Sequence, residues 1–332
     1  MKNVILSGMR PTGKLHIGHL SVLENWVKLQ ENNECYYAVT DLHALTTAFE
    51  ETAQLDDNVY NMILDWLAVG LDPNKSAIFI QSRVKEHAEL HLLLSMITPL
   101  SWLERVPTYK SQIYQLGLQG KDISTYGFLG YPLLMTADIL LYRANAVPVG
   151  EDQLPHLELC REIARRYNYL YNTDVFPEPQ ALLSKVALLP GVDGRKMSKS
   201  YHNEIAIDAS QEEITAKVRQ MVTDPQRIHK TDPGNPDVCV VYTYQKIYNS
   251  EEEEDIASSC KTGSIGCVAC KKKLAAKINL VLEPIRDKRA YFANRPEEVK
   301  EIIKDGQERA SKKANETMKL VKEAIGINYR GV

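Results

Sequence analysis

Two histidines three residues apart, His16 and His19, stand in the stretch P-T-G-K-L-H-I-G-H-L over residues 11–20. At that spacing two imidazoles share one face of a helical turn. A helix N-terminus also presents unpaired N–H groups, which suits phosphate. Gly18 between the histidines has no side chain, so a flat ligand can lie directly on the backbone. Far downstream, residues 191–200 read G-V-D-G-R-K-M-S-K-S, a glycine-loosened loop in which Lys196 and Lys199 flank Met197 and Ser198. A different chemistry is offered by Asp138, a lone carboxylate among Leu133, Leu134, Ile139 and Leu140, which is costly there unless partnered. A fourth group is sulfur. Cys239 is followed by twenty residues before Cys260, six before Cys267 and two before Cys270. Four thiols with one C-x-x-C suit a Cys₄ metal site, iron–sulfur or zinc, and zinc sites more often carry two C-x-x-C pairs.

Elements that position these groups follow from periodicity. Apolar residues at 4–6, 35–39 and 76–80 read as strands. Helical spacing runs through residues 20–29, 55–71, 86–97, 128–142 and 156–167. Residues 40–44 read as a turn, residues 109–125 as a flexible polar excursion, and residues 147–153 as a strand running into a loop. Alternating strands and helices predict an α/β, Rossmann-like, doubly wound parallel sheet. Such sheets bind ligands at the carboxyl ends of their strands, where the first motif lies. After about residue 185 the composition turns helical and more charged, over residues 211–222, 274–291 and 295–324. The reading is therefore a Rossmann-like domain over 1–190 and a C-terminal helical domain over 191–332.

Composition excludes several classes. With 25% charged and 44% hydrophobic residues among 332, the chain reads as an ordinary globular protein. A formal net charge of −3 excludes a basic nucleic-acid coat, so RNA must be met by local patches such as Lys271–Lys273. No apolar run is long enough to span a membrane, and the N-terminus enters a strand without a signal region. The expected location is the cytoplasm.

The H-I-G-H stretch and the lysine loop, in this order, resemble the paired ATP-binding motifs of class I aminoacyl-tRNA synthetases. Residues 6–30 and 127–168, the lysine loop and M-V-T-D-P at 221–225 together resemble the bacterial tryptophanyl-tRNA synthetase family through nearly the whole chain. Y-P-L-L-M-T-A-D-I-L-L-Y at 131–142 and V-P-V-G-E-D-Q at 147–153 favour it over the tyrosyl sister family. His19 and Arg10 stand where many relatives have Asn and Gln, and both keep hydrogen-bonding groups.

The resemblance implies two reactions. Tryptophan's carboxylate attacks the α-phosphate of ATP and pyrophosphate leaves; a ribose hydroxyl of tRNA(Trp) then takes the aminoacyl group. Stabilising charge on the phosphates is electrostatic work, which it assigns to His16, His19, Lys110, Lys196 and Lys199, with Mg²⁺ accompanying the triphosphate. It assigns ATP contacts to Arg10, Pro11, Thr12, Gly18, His19, Gly150, Glu151, Asp152, Ala187, Lys196, Met197, Ser198, Lys199 and Ser200. For tryptophan it implies Asp138 accepting the indole N–H, the ring's only donor. Met135, Val147 and Val149 then form the walls, Tyr131 and Gln153 meet the amino or carboxylate group, and His43 lies nearby. A subset of the family carries a 4Fe–4S cluster on four cysteines, with a slightly longer first gap; this implies Cys239, Cys260, Cys267 and Cys270 as ligands, with zinc as the alternative. A homodimer is also implied. The competing functional readings are a tyrosyl-tRNA synthetase, a small-molecule nucleotidyltransferase with H-x-G-H, and a non-catalytic RNA-binding relative.

Overall fold

The structure, a computed structural model, describes residues 2–117, 122–183, 189–198 and 201–329. Its first half alternates strand and helix: β1 (Val4–Met9), α1 (Leu20–Leu29), β2 (Glu34–Val39), α2 (Asp41–Ala48), α3 (Leu55–Val69), β3 (Ser76–Ile80) and α4 (Glu86–Ser95). Three helices follow, α5 (Leu100–Glu104), α6 (Pro107–Gly117) and α7 (Tyr126–Leu141), then β4 (Ala146–Val149), α8 (Leu154–Leu170) and β5 (Gln180–Leu183). The rest is helical: α9 (Gln211–Gln220), α10 (Val240–Tyr248), α11 (Glu253–Lys261), α12 (Cys267–Ala293) and α13 (Pro296–Ile325).

The strands form one parallel sheet in the order β3-β2-β1-β4-β5. The chain winds outward from β1 to β3 on one side, then crosses to β4 and β5 on the other, so the expected doubly wound class is what forms. The strand order reverses between β1 and β4, where such sheets open a crevice. Period-two alternation divides the strands between two cores. Ile5, Cys35, Tyr37, Val39 and Ile78 face α1 and α3, while Leu6, Tyr36, Ala38, Ala77 and Phe79 face the layer holding α4, α7 and α8. On the first face Trp26 stacks on Tyr37 with centroids 4.6 Å apart and meets Trp66 edge-on at 5.2 Å. Rings packed this way stabilise beyond their buried area.

α13 lies directly on β3. A Cβ at Gly306 would overlap the main chain of Ile78, so helix and strand backbones meet where only glycine fits.

Two local expectations need correcting. Residues 40–44 are no turn: α2 starts at Asp41, whose Oδ1 accepts from the backbone N–H of Leu42 at 3.0 Å and Ser82 at 2.9 Å. These bonds give the helix start an anchor that the sequence did not advertise. The polar excursion instead begins with α6, because Pro107 suits a first helical position and no breaker follows until Gly117. Residues 118–121 lie outside the described residues.

Candidate functional site

At the carboxyl ends of β1 and β4 lies a cavity of about 390 Å³. Tyr131, Met135 and Asp138, at helical spacing on α7, supply one wall; Val147, Val149 and Gly150 at the end of β4 supply another. Arg10, His43 and Gln153 complete the expected set, and all nine line the same space. Phe128 and His156 line it as well. Tyr131 Oη and His156 Nε2 are 3.2 Å apart, so the two residues hold each other at the mouth.

Asp138 is 5% exposed and fully engaged. His43 Nε2 stands 3.0 Å from Oδ2, His87 Nδ1 stands 2.7 Å from Oδ1, and Gln81 Nε2 donates to both oxygens at 2.8 Å. A carboxylate offers about four acceptor sites, and these partners occupy them. Burial pushes this carboxyl up; the imidazoles of His87 and His43 more than reverse it and hold it well below the usual carboxylate range. His87 is oriented in turn by Tyr142, whose hydroxyl is 2.9 Å from Nε2. Gln81 and His87 were missed from the sequence. The only signal was polar residues at apolar places: Gln81 just past β3, and His87 opening α4.

The first motif is not a simple helix start. His16 and His19 flank a single tight turn, Ile17–His19, before α1 begins at Leu20. Their rings tilt together with centroids 3.9 Å apart, and the His16 N–H donates to His19 Nδ1 at 3.2 Å. β1 also runs on through Gly8 to Met9, so the break comes later than expected.

The second motif is a tight hairpin over residues 190–196. Pro190 and Lys196 bridge, and Gly191 N–H donates to the Arg195 carbonyl at 2.7 Å. Lys196 is exposed, while Met197 is 7% exposed, and a Cβ at Gly18 would lie 3.5 Å from its sulfur. The main chain also ties the first motif to the segment just past the second. Ile17 N–H donates to Ile205 at 2.9 Å, Ile207 N–H donates to Leu15 at 3.0 Å, and His16 and Ala206 form an antiparallel bridge. Sequence spacing gave no hint of this pairing. Ala187, Lys199 and Ser200 lie outside the described residues.

Not every expected residue enters the cavity lining. Pro11 and Thr12 line a neighbouring cleft of about 480 Å³ beside Leu45 and Gln54. Glu151 and Asp152 are exposed on the turn after β4, where Asp152 accepts from Gln153 Nε2 at 2.8 Å. Lys110 is exposed on α6, one residue after Tyr109, whose ring stacks on Phe128 at 5.6 Å.

The four cysteines come from helix ends: Cys239 caps α10, Cys260 ends α11, and Cys267 and Cys270 open α12. All are half-buried free thiols. Burial pushes Cys270 up to about 11, and Cys239, Cys260 and Cys267 each act on it. Gln245 Nε2 is 3.4 Å from its sulfur, and Arg227 is 3.7 Å from that of Cys260. Yet among the described residues no group of three or more His, Cys, Asp or Glu is arranged to hold a metal ion.

Comparison with known proteins gives a consistent picture. Residues 1–283 match the family described as tRNA synthetases class I (W and Y). The chain is 52% identical over 329 residues to a tryptophan–tRNA ligase of Thermotoga maritima, covering 98% of this chain and 99% of the relative. It is 43% identical to that of Aquifex aeolicus, with 97% and 99% covered. Among solved structures, tryptophanyl-tRNA synthetase from Campylobacter jejuni, complexed with ADP and tryptophan, superposes with a TM-score of 0.87 at 32% identity, covering 97% of this chain and 99% of that one.

Proposed function

This chain belongs to the class I tRNA synthetases of the tryptophan and tyrosine branch, and from that premise we propose how its residues carry out the tryptophan–tRNA ligase reaction. L-tryptophan and ATP give tryptophanyl-adenylate and pyrophosphate; tryptophan then passes to the 3′ end of tRNA(Trp) and AMP leaves. In the first step the carboxylate is already a nucleophile, so the protein's task is to orient it and to stabilise charge on the phosphates. Mg²⁺ enters with ATP as part of the substrate.

The observation that carries the amino-acid assignment is Asp138, a buried carboxylate held ionised at the edge of a cavity with apolar walls. The indole N–H competes with His43 for Oδ2, while Met135, Val147 and Val149 flank the ring. Tyr131 and Gln153 take the amino and carboxylate end. Phenylalanine lacks the N–H, so it cannot take the place of His43 at Oδ2 and gains no charge-assisted bond from Asp138. For ATP, Arg10, Pro11, Thr12 and Gly18 bind on the first motif and Gly150, Glu151 and Asp152 at the ribose, with Ala187 offering backbone to adenine. His16 and His19 donate at the leaving pyrophosphate. Lys110, Lys196 and Lys199 supply positive charge, and Met197, Ser198 and Ser200 complete the loop. The pairing of residues 15–17 with 205–207 supports this reading by fixing the first motif against the segment that follows the lysine loop.

The test is ATP–pyrophosphate exchange with tryptophan and with tyrosine, followed by charging of tRNA. Exchange that needs tryptophan supports the proposal. Exchange driven by tyrosine reassigns the substrate. Exchange without any amino acid points to a small-molecule nucleotidyltransferase, and none at all to a non-catalytic RNA-binding relative.

For the cysteines we infer the 4Fe–4S ligand set Cys239, Cys260, Cys267 and Cys270. What supports it is the donor set: four thiols acting on one another, three of them at the N-termini of α10 and α12, with Gln245 and Arg227 directed at sulfur. Its role is structural, in the helical domain over 191–332. Protein purified without oxygen should hold about four irons per chain with a broad brown absorption. One zinc and no colour would replace the cluster by a clip, and neither metal would leave four free thiols.

We also propose a cytoplasmic homodimer. No helix among the described residues is long and apolar enough to cross a membrane. Leu92 on α4, Met96 just beyond it and Leu100 at the start of α5 are exposed apolar side chains, the kind of surface a second copy covers. Sedimentation at micromolar concentration tests it, and a monomer there would refute it.

A further inference from the structure

We propose that Asn203 is a positioning residue that sets the backbone of the lysine loop, and through it the reach of Lys196 and the place of Ser198. This rests on the function proposed above and adds to it a residue outside the motif itself. Asn203 is 2% exposed. Its Oδ1 accepts from the Ser198 N–H at 2.8 Å; its Nδ2 donates to Asp193 Oδ1 at 2.8 Å and to the Lys196 carbonyl at 3.1 Å. Its own carbonyl accepts from the Val192 N–H at 2.9 Å. One residue thus ties the first arm of the hairpin, its tip, its second arm and the residue beyond.

The loop is built around that amide. A Cβ at Gly191 would fall on the Asn203 side chain, so a glycine at 191 leaves the room that Asn203 occupies. Asp193, at the hairpin tip, is held down to about 2 first by Asn203 and then by Arg195. A flexible lysine stem gives useful charge only from a fixed starting point. Asn203 fixes that point through its bonds to Asp193, Lys196 and Ser198.

Three variants test this: Asn203→Ala, Asn203→Asp, and Asn203→Asp combined with Asp193→Asn. Each is measured for kcat and ATP KM in tryptophan-dependent exchange, and for tryptophan Kd without ATP. Asn203→Ala should lower kcat about 10- to 100-fold, the range for losing several buried hydrogen bonds, with tryptophan Kd within about twofold of wild type. Asn203→Asp keeps the size and the acceptor for Ser198 but sets a second carboxylate against Asp193, and should lose at least as much. Adding Asp193→Asn should recover about tenfold. Wild-type kinetics in Asn203→Ala, equal losses of kcat and tryptophan affinity, or no recovery in the double variant would each overturn the proposal. Absence of tryptophan-dependent exchange in the unaltered protein would instead refute the functional reading beneath it.

Discussion

Asp138 draws its character from its neighbours. Two imidazoles and an amide keep it charged, so changing the carboxylate alters both the ligand site and the network behind it. Asp138→Asn keeps the shape and removes the charge. It should lower kcat/KM for tryptophan about 10- to 100-fold, the worth of a charge-assisted hydrogen bond, and narrow the preference over phenylalanine. Exchange kinetics with both amino acids check this, and wild-type values would remove Asp138 from the site. The aspartate was legible in the sequence because a carboxylate in an apolar helix demands a reason. Gln81 and His87 were not, since each is an ordinary residue until the sheet brings it beneath α7. Lys110 stands the other way round: its type suits the chemistry, but α6 leaves it outside the described cavity lining.

Among elements, long periodic segments were read from the sequence and short polar ones were not. β1 to β3, α3, α7, α8, α12 and α13 follow apolar spacing that survives in the fold. α2 begins at an aspartate tied to the Ser82 backbone and α6 at Pro107, neither of which periodicity registers. Two contacts between elements invite substitution. Gly306→Ala forces a methyl onto the Ile78 backbone, which no rotamer relieves, and should destabilise by about 1–3 kcal/mol. Lys304→Ala, exposed on the same helix, should stay within about 0.5 kcal/mol; urea denaturation compares them. Arg289 on α12 donates through Nε to Asp65 at 2.6 Å and reaches Asn61 at 2.7 Å, while Asp65 also accepts from the Leu15 N–H at 3.4 Å. Arg289→Met leaves that buried carboxylate unpaired and should cost about 3–5 kcal/mol at neutral pH. Burial already raises the Asp65 carboxyl, and Arg289 opposes the rise. A raised carboxyl favours the folded form at low pH, so the loss should shrink as the pH falls.

For the whole molecule, acid should act in stages. Burial holds His91 and His156 below the ordinary value of 6.5. As pH falls through 6.5 the unfolded chain takes up protons that the folded chain refuses, so stability declines from there downward. Asp138 adds a second loss, beginning as the pH falls below its ordinary 3.8. Urea midpoints should fall between pH 7.5 and 5.5, and His91→Gln should flatten that slope; an unchanged slope would show that His91 is not responsible. The lysine loop and the first motif could be named separately from sequence. The backbone pairing of the first motif with residues 205–207, just past the loop, could not, because nearly two hundred residues separate Leu15 from Ile207.

The seating of α13 on β3 also sets a timetable. β3 is an edge strand of the sheet, and its cover is made more than two hundred residues later. At synthesis rates of about 5–20 residues per second, the ribosome delivers Gly306 roughly 10–50 s after Ile78. Throughout that interval the nascent chain carries an unsheltered strand edge, the kind that pairs with a neighbour's. The protein's need for chaperones should therefore be greatest during translation and fall once its last long helix has emerged.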